Sequence, residues 1–227
     1  MIDFNEQENL LKAIGKILKR KTEVYLIGGS AMLYYEAKTA TKDIDIVTTT
    51  KSSFEDLRKA ITSIGFYEKT PFIHKKYDEL EVEKKINKPV FFILNDKRID
   101  LFLTNIVCYQ LSEYMIKRAT QSHEYDSLII KIISPEDIII LKCATEREGD
   151  RIDAKSLIEN YNINWYTIIS EASHQTKIGQ DMFVIFLYDF LQELKEDMNV
   201  NIPIKVIREI RKIGEKALIN IAKKGRK

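Results

Sequence analysis

Residues 23–47 read EVYLIGGSAMLYYEAKTATKDIDIV, and this stretch decides the fold. A short β-rich run ends at Gly28-Gly29, a helix is predicted over residues 30–36, and apolar residues then alternate with Asp43 and Asp45. Successive side chains of a strand point to opposite faces, so both carboxylates project to one side while the isoleucines beside them enter the core. The stretch therefore predicts a strand–helix–strand unit that carries a pair of acids on one face.

A pair of neighbouring carboxylates favours a bound cation. Two like charges held close together resist ionisation unless a cation neutralises them. Oxygen ligands suit a hard ion such as Mg²⁺ (or Mn²⁺), which completes its shell with water and substrate phosphates. The Asp-x-Asp pattern alone is weak evidence for a cation site, because an exposed strand edge or turn commonly carries it. The surrounding sequence has to decide between these interpretations.

The turn Gly28-Gly29-Ser30 favours a phosphate ligand. Glycines between a strand and a helix let the backbone approach a ligand closely, and the first N–H groups of the helix can hold phosphate. The Ser30 hydroxyl could donate to a phosphate oxygen or simply cap the helix. The turn lacks the residues that define a Walker A loop, a dinucleotide-binding fingerprint or a nucleophile elbow.

A third acid, Asp100, follows Arg98-Ile99 in the second strand of a hairpin predicted over residues 90–94 and 98–103. A charge flanked by apolar residues in an interior strand needs a partner, because burying it alone is costly. Three carboxylates are what a two-metal nucleotidyl-transfer site requires. The alternative is an ion pair between Asp100 and Arg98 or a neighbouring lysine.

The order of predicted elements gives the fold class. A helix over residues 6–20 precedes the strand–helix–strand unit, and a further helix, the hairpin and a strand over residues 128–133 follow it. This order predicts a small mixed sheet with helices on it. From Ser134-Pro135 the chain turns helical, because serine is a good N-cap and proline suits the first helical position. We predict an α+β protein with domains 1–133 and 134–227.

These features together resemble the polymerase-β nucleotidyltransferase superfamily, most of all its small stand-alone prokaryotic members, over residues 20–158. The AbiEii and MenT-type toxin nucleotidyltransferases share the layout more distantly. The motifs that carry the resemblance are Gly28-Gly29-Ser30-Ala31, Thr41-Lys42-Asp43-Ile44-Asp45 and Pro135-Glu136-Asp137. The resemblance implies a nucleotidyltransferase fold with a C-terminal helical domain, which transfers a nucleoside monophosphate from an NTP to an acceptor hydroxyl.

The resemblance also implies roles for individual residues. Asp43, Asp45 and Asp100 would be the catalytic acids and metal ligands, and Asp100 would assist deprotonation of the attacking hydroxyl. The nucleotide phosphates would be held by Gly28, Gly29, Ser30, Lys42 and Lys142. Relatives often place an arginine a few residues before the Asp-x-Asp pair, whereas this chain has lysines there.

Lys142 begins a second pattern that relatives share, a helical lysine followed by Arg147, Asp150 and Asp153. Lys142 is our candidate for a lysine that reaches phosphate from the second domain. The three residues that follow it are spaced by three along a predicted helix, so simple i,i+3 ion pairing explains them equally well.

Charge and composition bear on partners and compartment. The net charge is +2, but residues 201–227 hold nine basic and two acidic side chains. Apolar spacing predicts a helix over residues 204–224, and this basic C-terminal segment could meet RNA or could be a solvated helix face with a frayed tail. No apolar run is long enough to span a membrane, and the N-terminus is too polar for a signal peptide. The histidines, His74, His123 and His174, and the two cysteines match no metal-ligand spacing. We expect a cytoplasmic protein.

Two further hypotheses compete with the enzyme. A nucleotide-binding or interaction module could have kept the fold and lost catalysis, although such a module would not need all three carboxylates. The protein could also be a toxin–antitoxin component. RNA, protein and a small molecule all remain open as acceptors.

Overall fold

The structure is a computed structural model that describes residues 1–69 and 89–224; His74 lies outside them. The elements, in chain order, are β1 (Ile2–Asp3), α1 (Phe4–Ile17), β2 (Thr22–Leu26), α2 (Gly28–Tyr34), β3 (Ala40–Thr41), β4 (Ile44–Thr48), α3 (Lys51–Ser63), β5 (Tyr67–Lys69), β6 (Val90–Leu94), β7 (Lys97–Leu103), β8 (Asn105–Ile106), β9 (Tyr109–Gln110), α4 (Glu113–Arg118), β10 (Gln121–Tyr125), β11 (Leu128–Ile132), α5 (Pro135–Lys142), α6 (Glu148–Asn160), α7 (Trp165–Lys177), α8 (Asp181–Glu196) and α9 (Ile204–Lys224).

A seven-stranded mixed sheet has the strand order β10-β11-β2-β4-β7-β6-β5. The β11–β2 and β4–β7 pairs are parallel, and the other neighbouring pairs are antiparallel. The predicted α+β class, the strand–helix–strand unit and the β6–β7 hairpin are confirmed. β4 lies near the middle of the sheet, where Ile44, Ile46 and Val47 are fully buried.

Helix α1 starts and ends earlier than its apolar period predicts, at Phe4 and Ile17. Its start is set by a capping box, because the Asp3 carboxylate accepts from the Glu6 N–H at 2.9 Å and the Glu6 carboxylate accepts from the Asp3 N–H at 3.4 Å. The helix ends where Leu18 turns to an extended conformation.

The described residues form two compact units. One contains residues 1–107 and 115–134, and so carries the large sheet; the other contains residues 108–114 and 135 onwards. Residues 108–114 belong to the second unit although they precede the last two strands of the first.

The second unit is built on helices α5–α9. Its core includes Ile139, Phe183 and Phe190, which are at most 2% exposed. Apolar residues at helical spacing predict a helix over 181–196, and α8 spans the same residues. Helix α9 buries Val206 and Ile210 on one face. Among the described helices, none combines the length and the apolar character needed to cross a membrane.

Candidate active site

The Asp-x-Asp pair lies at the start of β4. Asp43 and Asp45 are half-buried, and the isoleucines on either side of Asp45 are fully buried. In the parallel β4–β7 pair, Asp45 lies directly opposite Asp100, which is 4% exposed. Residues opposite each other on adjacent strands share a face of the sheet. The sheet therefore brings the Asp45 and Asp100 side chains together on one face.

The glycine turn packs against this pair. Gly28 has a φ of +58°, a left-handed conformation that glycine adopts without strain. A Cβ atom at Gly28 would lie 2.8 Å from Oδ2 of Asp45, and one at Gly29 would lie 2.4 Å from Oγ1 of Thr41. Neither position has room for a side chain, so the backbone of the turn lies directly beside the Asp45 carboxylate.

Ser30 connects the turn to the two aspartates. Its hydroxyl donates to the Asp43 carbonyl at 3.1 Å and accepts from the Asp45 N–H at 3.1 Å, and the residue is fully buried. The N-cap of α2 is Ile27, so the interpretation of Ser30 as the helix cap is wrong. The predicted contact between the Ser30 hydroxyl and phosphate stays a prediction. To donate to a phosphate oxygen, the hydroxyl would have to give up the Asp43 carbonyl as its acceptor. Ser30 thus fixes the position of β4 relative to α2.

Arg98 and Asp100 form a bidentate ion pair. Nε of Arg98 donates to Oδ1 at 2.6 Å and Nη2 to Oδ2 at 2.5 Å. The guanidinium carbon also lies 4.2 Å from the centre of the Phe91 ring, a cation–π distance. The ion pair that sequence reasoning left as an alternative is therefore present, and it occurs in the same place as the carboxylate cluster.

The electrostatics at Arg98 involve all three acids. Partial burial disfavours its charged form, but hydrogen bonds to Asp100 and the charges of Asp100, Asp43 and Asp45 outweigh this and raise the pKa of Arg98. Asp100 contributes most to this shift, and the charges of Asp43 and Asp45 add to it.

The residues fit a hard divalent cation in kind, since the available donors are carboxylate oxygens. With the side chains as placed, residues 1–69 and 89–224 hold no ready-made group of three or more Asp, Glu, His or Cys ligands. Arg98 occupies both oxygens of Asp100. A cation that binds Asp100 would therefore meet the guanidinium on the same carboxylate.

The two predicted phosphate lysines have different surroundings. Lys42 is exposed and directly precedes Asp43. Lys142 belongs to the second unit, where it is 8% exposed and its Nζ lies 2.6 Å from Oδ1 of Asp150 and 2.6 Å from Oδ2 of Asp153. A phosphate contact of Lys142 stays a prediction, and it would require an ammonium that two buried carboxylates already hold.

The i,i+3 interpretation of the second pattern is confirmed in part. Nε of Arg147 lies 3.0 Å from Oδ2 of Asp150. Asp150 also accepts from the Thr145 hydroxyl. Burial alone raises the pKa of Asp150, but the Lys142 charge and these hydrogen bonds outweigh it and lower the pKa. Burial likewise opposes the charge on Lys142, and its two aspartates outweigh that effect and raise its pKa.

Sequence reasoning did not identify Gln7 and Thr41 as parts of the site. Gln7 is fully buried in α1, and its Nε2 donates to the Ser30 carbonyl at 3.1 Å. Its spacing of four from Leu11 and seven from Ile14 places it on the buried face of the helix, and a polar residue there needs a partner. That spacing was the available signal. Thr41 packs against Gly29, and no sequence pattern indicates this contact because it depends on the tertiary fold.

Comparison with known proteins gives one family match and several structural likenesses. A family model described as "Nucleotidyl transferase of unknown function (DUF2204)" matches residues 6–180, a stretch that contains the whole candidate site. A search of curated proteins gives no significant match.

Three solved structures are similar at low sequence identity. A protein from H. pylori assigned as a nucleotidyltransferase is 18% identical, covers 95% of this chain and 93% of its own, and has a TM-score of 0.42. An antigenic nucleotidyltransferase-like protein from Paracoccidioides brasiliensis is 15% identical, with 70% and 78% coverage and a TM-score of 0.41. ANT(2″)-Ia, in complex with adenylyl-2″-tobramycin, is 11% identical, with 82% and 95% coverage and a TM-score of 0.44.

Proposed function

The chain belongs to the family of nucleotidyl transferases of unknown function (DUF2204), and we propose that it moves a nucleoside monophosphate from an NTP to an acceptor hydroxyl, releasing pyrophosphate. The observation that supports this most directly is the pairing of Asp45 with Asp100 across β4 and β7, beside the backbone of Gly28. The cytoplasm, where NTPs and Mg²⁺ are abundant, is the proposed compartment.

The three acids of the first unit are the proposed metal ligands. Asp43, Asp45 and Asp100 would hold Mg²⁺ or Mn²⁺, which when bound would neutralise phosphate charge and orient in-line attack. Asp100, the most buried of the three, would assist removal of the proton from the acceptor hydroxyl.

The nucleotide would be held by backbone and lysine. The first N–H groups of a helix have no partner within it, and those of Gly28, Gly29 and Ser30 begin α2 beside the carboxylates. They would donate to the phosphates, and the exposed Lys42 would add a positive charge. Ser30 would keep this turn and the Asp-x-Asp strand in a fixed relation through its two hydrogen bonds.

The acceptor stays open among RNA, protein and a small molecule. Some basic side chains of α9 form ion pairs within the helix, as Arg211 does with Glu215 at 3.0 Å. The charge of α9 therefore does not favour RNA over the other two acceptor classes. An untargeted assay suits this situation: each NTP, labelled at its α-phosphate, is incubated with Mg²⁺ or Mn²⁺ and with cellular RNA, protein and metabolites in turn. Label on one acceptor class would identify both substrates.

Replacing Asp45 by Asn tests the catalytic assignment. We expect label transfer to fall by about two orders of magnitude or more, since the site loses one electrostatic component. The melting temperature without metal should stay the same or rise, because repulsion among clustered acids is relieved. A matched control is Asp56→Asn, which removes a surface carboxylate paired with Arg20 at 2.6 Å and should leave transfer unchanged.

The same experiment separates the competing interpretations. If the wild-type protein binds NTP but labels no acceptor, the non-catalytic module is favoured. If Asp45→Asn melts well below wild type while transfer continues, the acids stabilise the fold and the assignment of the site is wrong.

A further inference from the structure

We propose that Arg98 is a positioning residue that serves as the protein's own counter-cation at Asp100, yields Asp100 to the divalent cation, and then binds the phosphates of the nucleotide. This inference rests on the proposed function. Arg98 lies on β7, two residues before Asp100.

The geometry makes Arg98 a substitute for a metal ion. Two residues apart on one strand, Arg98 and Asp100 project to the same face, which also carries Asp45. The guanidinium meets both oxygens of Asp100 at 2.6 and 2.5 Å, the fork-to-fork arrangement that fixes a carboxylate most firmly. The Asp100 side chain is therefore held in its place in the site before a metal ion arrives.

The arginine and a metal ion compete for the same carboxylate. A divalent cation that takes an oxygen of Asp100 meets the positive guanidinium at hydrogen-bonding distance, and like charges that close repel each other. Binding of the cation should therefore break at least one of the two hydrogen bonds.

Arg98 is the partner that is free to move. Its side chain is 42% exposed, whereas that of Asp100 is 6% exposed and belongs to an interior strand. The Phe91 ring, 4.2 Å from the guanidinium carbon and on the strand next to Asp100, offers a face along which the planar cation can turn. Once displaced, the guanidinium is beside a metal site that recruits phosphate, and bidentate phosphate binding is the chemistry that arginine does best.

The test is a metal titration that does not depend on activity. Mn²⁺ binding is measured from the loss of its free electron paramagnetic resonance signal, without nucleotide, in wild type, Arg98→Gln and Arg98→Lys. We expect Arg98→Gln to bind Mn²⁺ about tenfold more tightly than wild type, because no hydrogen-bonded cation has to be displaced. Arg98→Lys keeps the charge but loses the forked guanidinium, so its Mn²⁺ affinity should lie between those of wild type and Arg98→Gln. It replaces Arg98→Gln in the test if the glutamine variant does not fold.

A second measurement tests the role after displacement. With Mn²⁺ saturating, a non-hydrolysable NTP should bind Arg98→Gln about tenfold more weakly than wild type, since a charge-assisted phosphate contact is lost. The control is Arg58→Gln. Arg58 makes a comparable paired contact with Glu68, at 2.7 and 3.1 Å, and should leave both affinities unchanged.

The outcomes separate this inference from the function on which it rests. If wild type binds Mn²⁺ and both Arg98 variants bind it equally well or more weakly, Arg98 is a permanent ion pair and only this inference fails. Unchanged NTP affinity in Arg98→Gln overturns its phosphate role. If neither wild type nor the variants bind Mn²⁺, the metal dependence of the proposed function fails as well.

Discussion

Replacing Lys142 by Met should destabilise the protein strongly, whatever happens to its activity. Lys142, Asp150 and Asp153 are 8%, 5% and 7% exposed, and one ammonium lies 2.6 Å from an oxygen of each aspartate. Methionine preserves much of the length and apolar surface of the lysine stem while removing the charge. The substitution therefore leaves two buried carboxylates without the cation they share.

The size of the effect follows from this burial. Breaking a buried ion pair by removing one partner costs about 3–5 kcal/mol, because a buried charge remains uncompensated. Arg147 stays 3.0 Å from Asp150 and screens part of that charge, so we expect a loss near the lower end, about 3 kcal/mol. In a chain of this size that corresponds to a fall in Tm of roughly 6–12 °C.

The pH dependence gives an independent check on the cause. The pKa of Asp150 is lowered in the folded protein, so its contribution to stability is present above the ordinary aspartate pKa and is lost as the pH falls through the folded value. The pKa of Lys142 is raised, so its contribution is present below the ordinary lysine pKa and is lost as the pH rises through the folded value. The difference in the free energy of unfolding between wild type and Lys142→Met should therefore be largest between about pH 5 and 9 and should become smaller in acid.

The assay is urea denaturation of the whole chain followed by far-ultraviolet circular dichroism, with Lys155→Met as the control. Lys155 lies on α6, the helix that carries both aspartates, but its side chain is 35% exposed. Its Nζ lies 3.7 Å from Glu159 and donates to the Met198 carbonyl at 3.1 Å, so it neutralises no buried carboxylate. This control should lose no more than about 1 kcal/mol. If Lys142→Met is as stable as the control but binds NTP more weakly, the buried cluster is not a stabilising unit and the phosphate role implied by the family resemblance is correct.

Two further predictions concern the glycine turn and the buried thiols. Gly28→Ala should reduce transfer about tenfold or more, because its Cβ would lie 2.8 Å from Oδ2 of Asp45; Gly179→Ala, at φ +94° with no atom within 4 Å, should impose similar backbone strain without that loss. Equal activity in both variants would contradict the placement of Gly28 beside Asp45. Burial raises the pKa of Cys108 to about 11 and that of Cys143 well above its ordinary value, so iodoacetamide at about pH 8 should alkylate the native protein about a hundredfold more slowly than the urea-unfolded protein. Labelling at the unfolded rate would show that these thiols are accessible.

The local elements of this protein could be predicted from the sequence. The alternation of acids with Ile44 and Ile46 predicts β4, and Gly28 at the end of an apolar run predicts the turn into α2. These features depend on neighbouring residues only, through side-chain alternation and backbone conformation, so they can be recognised without knowing the fold. The family resemblance rested on the same local motifs, and the family match confirms it.

Only the tertiary structure decided which side chains meet. That Asp45 lies opposite Asp100 depends on the register between β4 and β7, two strands that are far apart in the chain. Register is set by the packing of a whole sheet, and a shift of one residue would send Asp100 to the other face.

The same reason explains the alternatives that the sequence left open. Arg98 and Asp100 share a strand face, so their pairing was foreseeable, but its coincidence with the Asp-x-Asp pair required the sheet. Ser30 was expected to cap a helix or bind phosphate. The structure excludes the cap, places the hydroxyl between two backbone groups of the Asp-x-Asp segment, and leaves the phosphate contact a prediction. A hydroxyl can serve any of these partners with similar energy, so the choice belongs to the packing that brings one of them within reach.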